Sequence, residues 1–170
     1  EDVFSAEECD DIVAACEGRS WPVVSGGLER WITDARWTAQ ATAHLGPRTR
    51  FLREQLVTKP CRADVRVPWH QDQAYADLDR DFLTCFLALE DITIDNGCLW
   101  MLPGSHWRGP VEHVAAGYLL EVAEPIAEQG VAIPLAKGSL VAFSSLLIHR
   151  SGGNAGDGLR RAWMVQFAPD

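Results

Sequence analysis

Apolar residues recur at helical spacing near the start of the chain and at strand spacing through most of the rest. Cys9, Ile12, Val13 and Cys16 fall at i, i+3, i+4 and i+7, the stripe of an amphipathic helix. Ser5 with Glu8 three residues on forms a capping box before it, and Gly18 supplies a stop. A second helix is predicted from about Asp34 to Leu45, halted by Gly46-Pro47, with Trp37 and Ala41 facing the core.

Beyond Arg50 the period shortens. Strands are predicted at Phe51–Lys59 and Val65–His70, the latter alternating Val65, Val67 and Trp69 with more polar neighbours. Leu83–Leu89 is almost continuously apolar, as expected where both faces of a strand are covered. Further runs span Cys98–Leu102, Val131–Leu135, Ser139–Leu147 and Leu159–Phe167, set off by turns such as Pro103-Gly104-Ser105-His106 and Lys137-Gly138. Many short strands bounded by Gly, Pro, Asn and Asp, with helices gathered at the N-terminal end, predict a mainly β sandwich or barrel with a helical layer.

Composition narrows this modestly. The 170 residues predict one domain spanning 1–170, able to bury roughly 70% of its unfolded surface without metal or disulfide staples. The five cysteines are odd in number and lack C-x-x-C spacing, which points to reduced thiols and a cytoplasmic setting. A net charge of −9 disfavours nucleic acid and anionic membranes. No apolar run approaches the ~20 residues of a membrane helix. The chain opens at Glu1 without a methionine, so an N-terminal stretch, or loops, are expected to lie outside it.

The candidate chemistry starts at Pro68-Trp69-His70-Gln71-Asp72-Gln73-Ala74-Tyr75. Residues i and i+2 of an extended chain project to one side, so His70 and Asp72 are expected to point together. A metal centre that must also take a co-substrate and dioxygen needs three ligands on one face, and two imidazoles with one carboxylate suit non-haem Fe(II). Among the other histidines, His44 reads as a helix-surface or core residue and His113 as solvated, while His106 ends a turn near a potential site mouth. His149 closes the apolar run Leu146-Leu147-Ile148, a costly place for an imidazole with no partner. In the last strand Arg161, Trp163, Val165 and Phe167 share a bulky face suited to packing on helices. Arg160, Ala162, Met164 and Gln166 share a narrower, more polar face suited to a ligand cavity, where an inward guanidinium calls for a carboxylate.

Together these motifs resemble the phytanoyl-CoA dioxygenase (PhyH) family of Fe(II)/2-oxoglutarate-dependent oxygenases, from about Val3 to Phe167. The family's H-x-D stands as His70-Gln71-Asp72 and its H-x-S-x-x-N as His149-Arg150-Ser151-Gly152-Gly153-Asn154. Its N-G-x-L…P-G-[ST]-H stands as Asn96-Gly97-Cys98-Leu99…Pro103-Gly104-Ser105-His106. The resemblance implies a double-stranded β-helix, or cupin-like jelly roll, with N-terminal helices packed on one sheet. It implies iron on His70, Asp72 and His149, and 2-oxoglutarate held at its distal carboxylate by Arg160, eleven residues past His149, and by Ser151. Phe86 and Gln55 fall at further co-substrate contacts, both with residue types that depart from the family's usual ones. It also implies dioxygen as the oxidant, with succinate and CO2 released and hydroxylation as the usual outcome. Desaturation, epoxidation and ring formation stay open, and the presence of Asp72 disfavours halogenation.

Two other readings accommodate the same residues: a catalytically silent jelly-roll binding module, and a cupin-type metalloenzyme that does not use 2-oxoglutarate. The substrate is expected to be a small molecule met by Gln73, Tyr75, Trp100 and His106, with Arg150 or a mobile stretch from Gly109 to Glu121 also in reach. The chain is expected to be a monomer or homodimer.

Overall fold

The computed structural model describes residues 3–16, 28–127 and 129–170. Helix α1 (Ala6–Cys16) opens on the expected capping box: the Ser5 amide donates to Glu8 Oε2 at 2.7 Å and the Glu8 amide to Ser5 Oγ at 3.1 Å. The predicted stop at Gly18 lies outside the described residues. A short α2 (Glu29–Ile32) precedes α3 (Ala35–Leu45), which is capped by Asp34 and ended by Gly46 at φ 91°. Trp37 and Ala41 are buried, as the periodicity requires.

Ten strands follow: β1 (Thr49–Lys59), β2 (Val67–His70), β3 (Leu83–Ala88), β4 (Leu99–Met101), β5 (His113–Ala116), β6 (Leu119–Val122), β7 (Val131–Ile133), β8 (Leu140–Ser144), β9 (His149–Ser151) and β10 (Arg160–Pro169). They form two four-stranded antiparallel sheets, ordered β1-β10-β3-β8 and β2-β9-β4-β7, with β5-β6 as a separate hairpin. Two facing sheets whose strands come from opposite ends of the chain make a jelly roll.

The helices cover one side of the sheet β1-β10-β3-β8. Phe4, Cys9, Ile12, Trp37 and Ala41 meet Leu56, Cys85, Leu87, Trp163 and Val165 there in one apolar cluster. Trp37 and Trp163 meet edge to face, with centroids 5.3 Å apart. A second cluster, including Phe86, Cys98, Leu99, Met101, Phe143 and Ala162, fills part of the space between the sheets.

Three features depart from the sequence reading. The run Ser139–Leu147 is two pieces: β8 stops at Ser144, and His149 begins β9 in the opposite sheet rather than closing a strand. Serines take over the backbone bonds at this corner, since Ser144 Oγ accepts the Leu146 amide and Ser145 Oγ the Phe82 amide. In β2, two residues, Pro68 and Trp69, oppose the single Arg150 between the Val67↔Ser151 and His70↔His149 pairs. This bulge turns both Val67 and His70 to the interior, against the simple alternation. The stretch 109–121, where no strand was predicted, carries β5 and the start of β6, joined by a turn with Gly117 at φ 66°.

Candidate metal and co-substrate site

Between the sheets lies a cavity of about 260 Å³, and His70, Asp72 and His149 come together in its wall. Each reaches it from a different local cause. His70 ends β2. Gln71 stays extended (φ −109°, ψ 136°), so Asp72, the first residue of a 3-10 turn, still projects with His70 although the strand has stopped. His149 is paired directly with His70 across β2 and β9. One ligand atom from each residue lies within 4.8 Å of the others. His70 Nε2 is 3.5 Å and His149 Nε2 3.7 Å from Asp72 Oδ1, and all three residues are buried.

The protons of this cluster are fixed from outside it. His70 Nδ1 donates to the Pro68 carbonyl and His149 Nδ1 to the Leu147 carbonyl, each at 2.9 Å. In a neutral ring with its proton on Nδ1, Nε2 is thereby left as an acceptor facing Asp72. Burial, then the neighbouring His70 ring, lowers His149 to about 4 despite the pull of Asp72, so its ring is neutral at pH 7. Burial opposes the charge of Asp72, but the attraction of the His149 and then the His70 ring in their protonated forms, with the Thr84 hydroxyl, outweighs it and holds the carboxyl below the usual range. Asp72 Oδ2 accepts from Thr84 Oγ1 at 2.6 Å and from Gln166 Nε2 at 3.2 Å, which leaves Oδ1 toward the imidazoles. Two neutral nitrogens and one carboxylate oxygen on a shared face make a donor set for a divalent metal with positions left open.

Gln71, between the ligands, anchors the turn. Its buried amide donates to the Gly109 and Leu146 carbonyls and accepts from the Val111 amide. Its backbone amide donates to His113 Nε2 at 3.0 Å, while His113 Nδ1 donates to the Val111 carbonyl. His113 is therefore a half-buried brace between the H-x-D turn and the β5–β6 hairpin, not a solvated residue.

Arg160 forms the other end of the cavity. It is 1% exposed, its Nη2 donates to the Gly97 carbonyl at 2.9 Å, and its buried Nε and Nη1 have no hydrogen-bond partner. Buried donors without acceptors are costly, and a guanidinium edge of this kind fits a carboxylate. Burial lowers Arg160 to about 10, still a cation at neutral pH. Beside it Lys59 is 2% exposed, with Nζ donating to the Val65 carbonyl at 2.5 Å. Burial and then the Arg160 charge bring Lys59 down to about 7. Gly97 permits this crowding: at φ 91°, a Cβ there would sit 2.7 Å from the Gly152 carbonyl and 2.9 Å from Lys59 Cδ. Asn154 ties the same corner, donating to the Lys59 and Gly158 carbonyls and accepting from the Gly156 amide.

Of the residues singled out in the sequence, His70, Asp72, His149, Arg160, Ser151, Phe86, Gln55, Tyr75 and Arg150 line the cavity. Gln73, Trp100 and His106 do not. The Gln73 amide is spent on the Leu78 and Arg80 carbonyls and the Ser145 hydroxyl. Trp100 lies under the Arg150 guanidinium, and His106 packs on Trp107 with centroids 4.6 Å apart. Sequence reasoning missed Thr84, a polar residue inside an otherwise apolar strand, and Arg53, on the cavity face of β1. The lone threonine in β3 was a legible signal for the first.

A jelly roll with two histidines and a carboxylate in its mouth is the architecture of the mononuclear non-haem metal oxygenases. Comparison with known proteins narrows this. The family model for phytanoyl-CoA dioxygenase (PhyH) matches residues 25–162, and the chain belongs to that family. Phytanoyl-CoA dioxygenase of Arabidopsis thaliana is 38% identical over 102 residues, 56% of this chain and 36% of that protein. The peroxisomal enzyme of Homo sapiens is 34% identical over 139 residues, 72% of this chain and 40% of that protein, so the chain spans well under two thirds of these relatives. Among solved structures, EvdO2 from Micromonospora carbonacea var. aurantiaca complexed with 2-oxoglutarate is similar in fold, with TM-score 0.85 and 24% identity over 99% of this chain and 84% of that one. The epimerase SnoN, in complex with Fe3+, alpha ketoglutarate and nogalamycin RO, has TM-score 0.81 and 20% identity, covering 99% of this chain and 77% of that one.

Proposed function

We propose that this chain is a non-haem Fe(II)- and 2-oxoglutarate-dependent dioxygenase that oxidises a small organic substrate, in the simplest case by hydroxylation. The observation that carries the reading is the pairing, in one cavity, of the His70–Asp72–His149 cluster with a buried Arg160 whose Nε and Nη1 lack partners. Membership of the PhyH family supports it.

In this reading His70 Nε2, His149 Nε2 and Asp72 Oδ1 hold the metal. Arg160, with Ser151, holds the distal carboxylate of 2-oxoglutarate, and Phe86 and Gln55 flank its chain. Bound iron and 2-oxoglutarate supply the chemistry: oxidative decarboxylation by dioxygen yields succinate and CO2 and an oxidant strong enough to attack a C–H bond. The protein's own contribution is preorganisation. The Pro68 and Leu147 carbonyls keep the imidazole protons on Nδ1, Thr84 and Gln166 hold Asp72 to one free oxygen, and Phe143, centred 4.8 Å from the His149 ring, packs against it. Substrate placement beside this cluster, rather than the metal ligands themselves, selects the product. We also read the chain as one domain in a cytoplasmic setting, consistent with the buried, reduced thiols of Cys9, Cys85 and Cys98. No helix among the described residues is long and apolar enough to cross a membrane.

The test is turnover under air with Fe(II), ascorbate and 2-oxoglutarate. Succinate release that needs all components is expected. Metal uptake with no succinate above the metal-free blank indicates a binding module instead.

A further inference from the structure

The charges lining the cavity do not cancel. Arg53, Arg150 and Arg160 supply three guanidinium groups against the single carboxylate of Asp72. On the oxygenase reading, on which this inference rests, a divalent metal and a dianionic co-substrate neutralise each other and Asp72 offsets Arg160. Two cations are left over. Arg150 is already held, its guanidinium carbon 5.0 Å from the Trp69 ring centroid and 4.8 Å from that of Trp100, and indole faces attract cations.

Arg53 is held less completely. It lies on the face of β1 shared with Gln55 and Val57, pointing into the cavity. Its Nε donates to Gln166 Oε1, and its Nη1 reaches the Tyr75 carbonyl at 3.3 Å. Both acceptors are neutral, and the Phe82 ring lies 5.9 Å away. Among the described residues no carboxylate pairs with it, although the chain carries 24 acidic residues and a net charge of −9. A guanidinium inside a cavity, facing only neutral acceptors, has the geometry to take a planar anion through its remaining donors.

We propose that Arg53 anchors the substrate and that the substrate carries a carboxylate. The neighbouring wall is apolar, formed by Val67, Leu99, Leu119, Phe143 and Met164, so the rest of the molecule is a compact apolar body. Arg53 binds Gln166, whose amide nitrogen binds Asp72 Oδ2 at 3.2 Å, so two hydrogen bonds separate the anchor from the metal cluster. The carbon oxidised therefore lies a few bonds from the acid group. The shared Gln166 amide also couples anchored substrate to the metal ligand: movement of Arg53 on binding shifts the donor that fixes Asp72.

The experiment is anaerobic calorimetry on the full chain saturated with Mn(II) and 2-oxoglutarate, titrated with isovalerate and with its neutral isostere isovaleramide. Isovalerate is expected to bind at least about 10-fold more tightly than the amide, the scale of one charge-assisted contact. Arg53→Gln should abolish that preference, Arg53→Lys should keep part of it, and Arg150→Gln should leave it in place. Equal binding of acid and amide, no saturable binding of the acid, or a preference that survives Arg53→Gln overturns the proposal. A wild-type chain that takes up no 2-oxoglutarate in the loading step overturns the oxygenase reading, and the charge count falls with it.

Discussion

The two sides of the sheet β1-β10-β3-β8 use the same two-residue alternation and are filled in opposite ways. Toward the helices, β10 presents Trp163, Val165 and Phe167, which join one apolar cluster with α1 and α3, and the Trp163 indole N–H donates to Glu54 Oε2 at 2.6 Å. Toward the other sheet the same strand presents Arg160 and Met164, which line the cavity, and Gln166, whose amide donates to Asp72. Both sets are largely buried, so burial alone does not distinguish them. The first side is satisfied by apolar contact, at roughly 25 cal/mol per Å² removed from water. The second keeps two guanidinium donors and a lysine out of water with incomplete partners, at a cost in stability that only a ligand offsets. Function lives on the side that folding alone leaves unfinished.

Substitutions on the two sides should therefore fail differently. The largest effect is expected from Asp72→Ala, which should lower turnover by more than about 10³-fold while leaving the melting temperature of the metal-free protein unchanged or raised. A large drop in melting temperature would make Asp72 a structural residue. On the helix side Trp163→Ala should cost about 3–5 kcal/mol of unfolding free energy in denaturant titration, through lost packing on Trp37 and the lost indole hydrogen bond to Glu54.

Arg160→Ala should weaken 2-oxoglutarate binding by about 100-fold, near 3 kcal/mol, with stability held or improved. Its neighbour Arg161 pairs with Glu90 on the other face, so Arg161→Ala should leave co-substrate affinity alone. Equal effects in the two variants would dissolve the contrast between the faces.

Smaller effects should come from groups acting through others. Thr84→Val removes one of two donors to Asp72 Oδ2, and metal affinity should fall by about 10-fold, read by competition with a chelating dye. Lys59 is depressed to about 7 in the fold from an ordinary 10.5. Between those values the unfolded chain holds the extra proton, so stability should rise with pH above 7. Over pH 7 to 7.8, where unfolded thiols are still mostly protonated, the rise should be about 0.5–1 kcal/mol. It should be missing in Lys59→Met, and a wild-type profile as flat as the variant's would contradict the buried cation.

Much of this arrangement was legible in the chain because the signals were local. The Ser5–Glu8 box, the Asp34–Gly46 limits of α3 and the continuous apolar run of β3 each specify their element within a dozen residues. The face assignment of β10 followed from alternation alone, and it separated Arg160 from Arg161. What failed depended on contacts between distant segments. The β5–β6 hairpin has partly exposed residues on both faces, so neither periodicity marks it. The break at Ser144-Ser145 was hidden because apolar residues lie on both sides of the corner. His113 looked unpartnered because its partner, the Gln71 amide, is 42 residues away. Gln73 adjoins the metal cluster in sequence, yet its side chain is consumed by the loop that supports it.

The central claim is that residues from β2, the turn after it, and β9 form one metal and co-substrate centre. Anaerobic addition of Fe(II) and then 2-oxoglutarate to the intact chain, followed in the visible range, tests it most directly. The account predicts a weak, saturable charge-transfer band from the bound chelate in the wild type and none in His149→Ala. A wild-type chain with no band, or a His149→Ala variant with the same band, would contradict it.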